Sequence, residues 1–251
     1  MKSKSIMILR EKHNLTHQLT HDLGMEIVKG RYSVGSGLPS EAELCSIYSV
    51  SRSATREAVK MLSAKGLITS RPKQGIRVMP EHNWNLFDTD VLSWILSSKP
   101  SIQLLHEFTQ MRVAIEPQAC ALAALQANAD QLRNIENALE RMRDADNGLD
   151  DPLEADIAFH TAILEASCNR FFYQLTNFIA TALRVSIRYT NKIKGVPGAD
   201  VIKHQHILDT IKSRDSDAAY KASKEILDEA IELIESQFIE RTTPVPDIQL
   251  S

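Results

Sequence analysis

The sequence predicts a mainly helical protein of two domains: an N-terminal winged helix-turn-helix, which is a three-helix unit with a two-stranded β wing, and a C-terminal all-helical bundle. Three observations lead to this prediction. Aromatic residues make up only 6% of the 251 residues, and 9 Gly with 9 Pro leave few turns for an all-β fold. Apolar residues recur at helical spacing along most of the chain, and two short β-type runs are confined to its first third. The first 80 residues hold 13 Lys and Arg against 6 Asp and Glu, whereas the remainder holds 16 against 26.

The first 80 residues have the order helix, helix, turn, helix, hairpin. Gly30 ends the first helix, and Ser40 with Glu43 three residues later forms a capping box that begins the second. Ser51 or Ser53 caps the third helix, and Gly66 ends it. The predicted helices cover 13–29, 40–47 and 51–65, and the β-type runs of the hairpin cover 67–70 and 76–78.

Beyond residue 80 the sequence is irregular for a few residues and then helical almost to its end. The predicted helices cover 89–97, 102–127, 130–145, 152–168, 171–193, 199–213 and 215–240. The predicted division is therefore a winged helix-turn-helix domain over 1–80, a linker over 81–90, a helical domain over 91–240 and a flexible tail over 241–251.

The third helix carries hydrogen-bond donors at its start, as a helix that enters the major groove of DNA does. Arg52 and Arg56 are four residues apart and share one face, and Arg matches the O6 and N7 atoms of guanine. A solvent-exposed helix face would explain this pair alone, but not the pair together with a hairpin and a net charge of +7. The further candidates for DNA contacts are Ser51, Ser53 and Thr55 on the helix and Lys73, Gln74 and Gly75 at the hairpin tip.

Three motifs in this part resemble the winged-helix signature of the GntR superfamily of transcription regulators. They are Leu38-Pro-Ser-Glu-Ala-Glu-Leu44, Val50-Ser-Arg-Ser-Ala-Thr-Arg-Glu-Ala58 and Lys65-Gly-Leu-Ile68. The resemblance implies DNA contacts at Ser40, Glu41, Arg52, Arg56 and Gly75. Ala42 departs from the family pattern, in which an Arg after Ser-Glu often contacts DNA, so we expect an altered affinity or base preference rather than a loss of DNA binding.

The helical part contains two pairs of polar residues at a spacing of four. Asp156 and His160 can grip one cation together, and His204 lies 44 residues further on. Arg112 and Glu116 form the other pair, and a buried Arg can bind both oxygens of a carboxylate. Either pair can also be an ordinary contact within one helix.

These residues resemble the ligand-binding FCD domain of the FadR subfamily of GntR regulators. The resemblance implies that Asp156, His160 and His204 hold a divalent metal such as zinc or nickel, and that Arg112 and Glu116 belong to the same effector site. The last family histidine aligns near Ile226, which cannot be a ligand. The segment Asn83–Leu96 resembles the regulators of sugar-acid operons in this subfamily, which implies a sugar-acid effector; Arg184 is a further candidate for its polar end.

The sequence contains no apolar run of the roughly 20 residues that a bilayer span needs. The apolar stretch near the N-terminus is too short for a secretory signal, and three Cys at irregular spacing do not indicate a disulfide scaffold. We therefore expect a cytoplasmic protein that does not enter a membrane.

Taken together, the sequence predicts a homodimeric repressor that binds a palindromic site in double-stranded DNA and responds to a small carboxylate, and it does not predict an enzyme. Three alternatives remain. A metal ion can itself be the signal. An acyl-CoA effector would need a long apolar tunnel. A metal-dependent hydrolase would use Glu116 as a general base beside the metal.

Overall fold

The computed structural model describes residues 2–98, 101–196 and 198–242, and side chains over 15–98, 101–196 and 198–237. The chain forms two compact units, Met1–Lys99 and Pro100–Ser251. Each unit has the secondary structure that the sequence predicts, a winged helix-turn-helix in the first and a helical bundle in the second. Most of the predicted tail, from residue 243 onward, lies outside the described residues.

The first unit is a helical domain with a small antiparallel hairpin. Its elements are α1 (Lys2–Val28), α2 (Glu41–Ile47), α3 (Arg52–Ala64), β1 (Ile68–Arg71), β2 (Gly75–Val78), a 3-10 turn (Glu81–Asn83) and α4 (Thr89–Ser98). Ile68 pairs with Val78 and Arg71 with Gly75 in the hairpin register. The order of elements that the sequence predicts for this unit is confirmed.

Side-chain caps set where α2 and α3 begin. Ser40 and Glu43 form the predicted capping box at α2, and the hydroxyl of Ser51 accepts a hydrogen bond from the backbone of Ala54 at α3. These caps satisfy backbone N–H groups that the first turn of a helix leaves without partners. Both helices of the helix-turn-helix are therefore fixed by local sequence as well as by packing.

The segment after the hairpin belongs to the first unit, which differs from the predicted linker over 81–90 and the predicted domain start at 91. Trp84, Val91 and Trp94 are buried in the core of this unit. Lys65 donates hydrogen bonds to Asp88 and Asp90 at 2.7 and 2.9 Å, which fastens the segment to the end of α3. Apolar burial and this ion pair make residues 81–98 an integral part of the domain.

The second unit is an all-helical bundle. Its helices are α5 (Ile102–Gln126), α6 (Ala129–Asp146), α7 (Pro152–Ala166), α8 (Arg170–Gln174), α9 (Thr176–Lys194), α10 (Val201–Lys212) and α11 (Ser216–Thr242). The long helix α5 packs against α7, α10 and α11. The single helix predicted over 171–193 is two helices, because the chain turns at Leu175 between α8 and α9. No helix within the described residues is long and apolar enough to cross a membrane.

The packing of α4 on α1 generates the first prediction. A methyl group added at Gly24 would lie 2.3 Å from the ring of Trp94, whose indole nitrogen also donates to His21 at 2.9 Å. Replacing a helical Gly with Ala normally stabilises a helix by about 1 kcal/mol. We expect Gly24→Ala to lower the free energy of unfolding instead, by about 1–3 kcal/mol, because the ring has to move.

Denaturant unfolding of the full chain measures this effect. Gly37→Ala is the control, since a methyl group there meets nothing closer than 3.9 Å. A Gly24→Ala protein as stable as the wild type would contradict the described contact between Gly24 and Trp94.

Candidate nucleic-acid interface and ligand cavity

The start of α3 presents a basic, solvent-exposed face. Arg52, Ser53 and Arg56 are exposed, and Nε of Arg56 lies 3.6 Å from a carboxylate oxygen of Glu41 at the start of α2. That pair is open to solvent and therefore weak, so it leaves Arg56 free to exchange partners. The two arginines lie on one accessible face, as their spacing predicts.

The structure corrects the prediction for Thr55. This residue is fully buried, and its hydroxyl donates to the carbonyl of Ser51 at 3.2 Å and contacts the sulfur of Cys45 at 3.2 Å. It therefore packs between α2 and α3 and cannot contact DNA. Ser40 and Ser51 are exposed and cap their helices, whereas Glu41 is half-buried.

The tip of the hairpin is open to solvent. Lys73, Gln74 and Gly75 are exposed, and both Lys73 and Gly75 have positive φ, at 65° and 73°. Nothing lies within 4 Å of the position that a Cβ of Gly75 would take. A backbone with this freedom of approach can enter a DNA groove beside the basic face of α3.

In the second unit, five polar side chains from three helices meet in the interior. Arg112 and Glu116 lie on α5, Asp156 and His160 on α7, and His204 on α10, and all five are buried. Burying charged groups is costly unless they are paired. The pairings within this cluster therefore decide what it can bind.

Glu116 holds the centre of the cluster. Its two oxygens accept from Nε and Nη2 of Arg112 at 2.6 and 3.2 Å, and Oε2 also lies 3.0 Å from Nδ1 of His160. Burial acts to raise the pKa of Glu116, but Arg112 and His160 outweigh it and hold the pKa at about 2. Both oxygens are thus occupied, and Glu116 is not among the residues that line the cavity described below.

The imidazole rings of two histidines point at the side chain of Asp156. Its Oδ1 lies 3.2 Å from Nε2 of His160 and 3.4 Å from Nε2 of His204. The other nitrogen of His204, Nδ1, donates to the carbonyl of Asp200 at 2.7 Å, because a carbonyl can only accept. Nδ1 of His160 faces Glu116 in the same way, so the Nε2 atoms of both rings point at Asp156.

Oδ1 of Asp156 and Nε2 of His204 therefore meet without a donor between them, while Nε2 of His160 lies 3.5 Å from Nη2 of Arg112. Asp156 Oδ1 and His204 Nε2 make no hydrogen bond to any described residue. Burial lowers the pKa of His160, but Glu116 and Asp156 outweigh it and raise the pKa to about 9, which draws a proton into the cluster. Burial would likewise raise the pKa of Asp156, but the two histidines hold it below its usual range. The space between Oδ1 of Asp156 and Nε2 of His204 therefore favours a positively charged group.

The side chains of this cluster offer ligand atoms that fit a divalent metal ion. One ligand atom each from Asp156, His160 and His204 lie within 4.8 Å of one another. Two imidazoles and one carboxylate suit zinc or nickel, and each imidazole has its second nitrogen fixed by an oxygen, as metal-bound histidines usually do. A bound cation would take the place of the proton that the cluster otherwise attracts.

The cluster opens into a cavity of about 400 Å³ between α9, α10 and α11. Arg112, Asp156, His160 and His204 form part of its wall. Ile226 also lines it, so the position where the family pattern has a histidine presents an apolar group to the cavity. A ligand in this cavity would therefore contact four of the five residues that form the cluster.

The structure also corrects the prediction for Arg184. Its guanidinium binds both oxygens of Glu154 at 3.0 Å on the half-exposed surface between α7 and α9, and it does not line the cavity. The cavity-lining residues of α9 are Ile187, Thr190, Asn191 and Lys194. Sequence reasoning missed Lys194, Lys203 and Glu229; for Lys203, its place immediately before His204 was an available signal.

Comparison with known proteins assigns both units. Residues 15–78 match the family model described as bacterial regulatory proteins, gntR family, and residues 107–229 match the FCD domain. The transcriptional regulator YieP of Escherichia coli (strain K12), itself described as uncharacterized, is 38% identical over 221 residues, which cover 87% of this chain and 95% of the relative. The galactonate operon transcriptional repressor of the same organism is 34% identical over 212 residues, which cover 84% and 92%.

A solved structure shows the same fold at low sequence identity. It is that of Lar, which controls expression of the agr system in Listeria monocytogenes. The match has a TM-score of 0.55 at 16% identity and covers 88% of this chain and 96% of Lar. At this identity the match supports the architecture and nothing further about function.

The pairing around Glu116 generates the second prediction. Glu116→Gln removes the buried charge that balances Arg112 and His160, and we expect it to lower the free energy of unfolding by about 3–5 kcal/mol. Glu154→Gln is the matched control, because it removes a carboxylate bound by an Arg at a half-exposed position, which is worth at most about 1 kcal/mol. Denaturant unfolding of both variants compares the two losses; equal losses would argue against the central place of Glu116.

Proposed function

We propose that this chain, which belongs to the GntR family of bacterial regulatory proteins and carries an FCD domain, represses genes of sugar-acid catabolism. Family membership makes it a DNA-binding transcription regulator. In the proposed mechanism it releases DNA when a polyhydroxy acid binds in the cavity of its helical unit. Family membership sets aside the hydrolase alternative. The full occupation of Glu116 by Arg112 and His160 also removes the general base on which that alternative depended.

The observation that carries the proposal is the position of the buried polar cluster on the wall of a cavity. A cluster that served only the stability of the bundle would not need to face a space of about 400 Å³. Here Arg112, Asp156, His160 and His204 line that space together. The name of the galactonate operon repressor adds the chemical class of ligand, an acid with several hydroxyl groups.

We assign the carboxylate of the ligand to this wall. Asp156, His160 and His204 would hold a zinc- or nickel-like cation, and Glu116 and the carbonyl of Asp200 would orient the two imidazoles. Such a cation, when bound, supplies a positive charge against which a carboxylate can lie. Two nitrogens of Arg112 bind Glu116, so Arg112 contributes its charge and the remaining edge of its guanidinium rather than a full bidentate grip.

In the proposed function, two copies of the chain bind DNA together through their basic units. We infer a homodimer in which two α3 helices enter the major groove of a palindromic site, since a two-fold protein reads a two-fold sequence. The acid would shift the equilibrium only if it binds the DNA-free arrangement better than the DNA-bound one.

A second candidate function is a regulator that responds to the metal itself. The set of three ligand atoms in Asp156, His160 and His204 favours it. Ile226 weakens it, because metal affinity follows the number and geometry of ligands, and an apolar side chain adds none.

The DNA-reading assignment generates a third prediction. Selection of binding sites from a random double-stranded DNA library is expected to return a palindrome with a strongly preferred guanine in each half-site. Arg52→Ala should relax that preference and weaken binding by about 1–3 kcal/mol. Lys60→Ala is the control, because Lys60 is an exposed basic side chain on the same helix beyond its first turns. Its loss should weaken binding to all DNA sequences alike. An unchanged base preference in Arg52→Ala would remove Arg52 as a reader of bases.

The ligand assignment generates a fourth prediction. The melting temperature of the purified chain should rise with an aldonic acid such as galactonate, since a ligand of the folded state stabilises it, and EDTA should abolish the rise. His204→Gln should remove the rise, whereas His206→Gln, at an exposed position two residues on, should keep it. A rise that survives EDTA would contradict the metal assignment. If zinc raises the melting temperature and none of the acids raises it further, the result would favour the metal-responsive alternative.

A further inference from the structure

Three charged side chains from three different helices meet at a second part of the cavity wall. Lys194 lies near the end of α9, Lys203 in the first turns of α10 and Glu229 on α11, and all three line the cavity. Lys203 donates to Oε1 of Glu229, and Nζ of Lys194 lies 3.8 Å from Oε2 of the same carboxylate. We name these three residues the Lys–Glu–Lys triad.

The triad is chemically distinct from the Asp156–His160–His204 cluster. Its side chains are 36–42% exposed, whereas the cluster is buried. Ile187, Ile226, Leu227 and Ala230 also line the same cavity and give it apolar wall between its polar groups. A ligand long enough to fill the cavity would therefore meet two different polar surroundings.

The charges of the triad select the kind of group that it can accept. Two ammonium groups donate hydrogen bonds, and the carboxylate of Glu229 accepts them. A hydroxyl group can accept from a Lys and donate to Glu229 at the same time, so it satisfies both. A second carboxylate can accept from a Lys but cannot donate to Glu229, so it would compete with the like charge of Glu229 for the same two ammonium groups.

We propose that the Lys–Glu–Lys triad is the subsite for the hydroxyl-bearing tail of the ligand and that Glu229 makes the protein prefer aldonic acids to the corresponding aldaric diacids. The proposal rests on the assignment of a sugar acid to this cavity. Glu229 acts here as a specificity-determining residue: it penalises a terminal carboxylate and rewards a terminal hydroxyl.

Two pairs of acids test the proposal directly. Galactonate and galactarate, and likewise gluconate and glucarate, differ only in whether the last carbon is a hydroxymethyl group or a carboxylate. Isothermal titration of the full-length wild-type chain is expected to give tighter binding of the aldonate in the pair that fits, by about tenfold or more. In Glu229→Gln that preference should be lost or reversed, because the repulsion is gone while the two lysines remain.

The controls separate a binding role from a structural one. Glu136→Gln removes a carboxylate that Lys212 binds at 2.6 Å, at similar exposure and away from the cavity, and it should leave the preference intact. Lys203→Gln should weaken the binding of both acids. In a Glu229→Gln background, the same change should weaken the binding of the diacid more than that of the aldonate. If Glu229→Gln does not fold, Glu229→Ala removes the same charge at this partly exposed position and should lose the preference in the same way; a preference that Glu229→Ala keeps would overturn the proposal.

The outcomes distinguish this inference from the function on which it rests. If none of the four acids binds the wild type, the sugar-acid assignment itself is contradicted. If an aldonate binds the wild type but Glu229→Gln keeps the wild-type ratio of aldonate to aldarate affinity, the triad is not the tail subsite and the ligand assignment stands.

Discussion

One buried carboxylate, Glu116, organises the functional half of the second unit. It neutralises Arg112 on its own helix and contacts Nδ1 of His160 on α7, at distances of 2.6 and 3.0 Å. Because that contact fixes the ring of His160, the opposite nitrogen points at Asp156, to which His204 also points. A charged group with no access to the ligand thereby sets the geometry of the groups that line the cavity. Such a role explains why an ion pair at four-residue spacing is buried here rather than left on the surface.

The first unit depends on a comparable tie, made by packing rather than by charge. Gly24 leaves room for the ring of Trp94, and Lys65 lies 5.7 Å from the centre of that ring while it binds Asp88 and Asp90. These contacts hold α4 on the winged helix, so residues 81–98 belong to the first unit rather than to a linker.

Local patterns in the sequence predicted what depends on near neighbours, and tertiary contacts decided the rest. The capping residues Ser40 and Ser51 and the two pairs at four-residue spacing were readable because partners lie within one turn of helix. The burial of Thr55 also had a local signal, because Thr55, Val59 and Leu62 recur at helical spacing on one buried face, and the prediction of Thr55 as a DNA contact overlooked it. The partner of Arg184 and the three members of the Lys–Glu–Lys triad come from different helices, and no spacing in the sequence brings them together.

We expect an acid in the cavity of the helical unit to change how tightly the other unit binds DNA. The most direct test is the affinity of the full-length chain for a DNA site selected by the protein itself, measured by fluorescence anisotropy with and without a saturating aldonate. We expect binding to weaken by at least about tenfold, which corresponds to a coupling free energy of about 1.4 kcal/mol. An unchanged affinity for DNA, with the acid bound as calorimetry reports it, would contradict the claim.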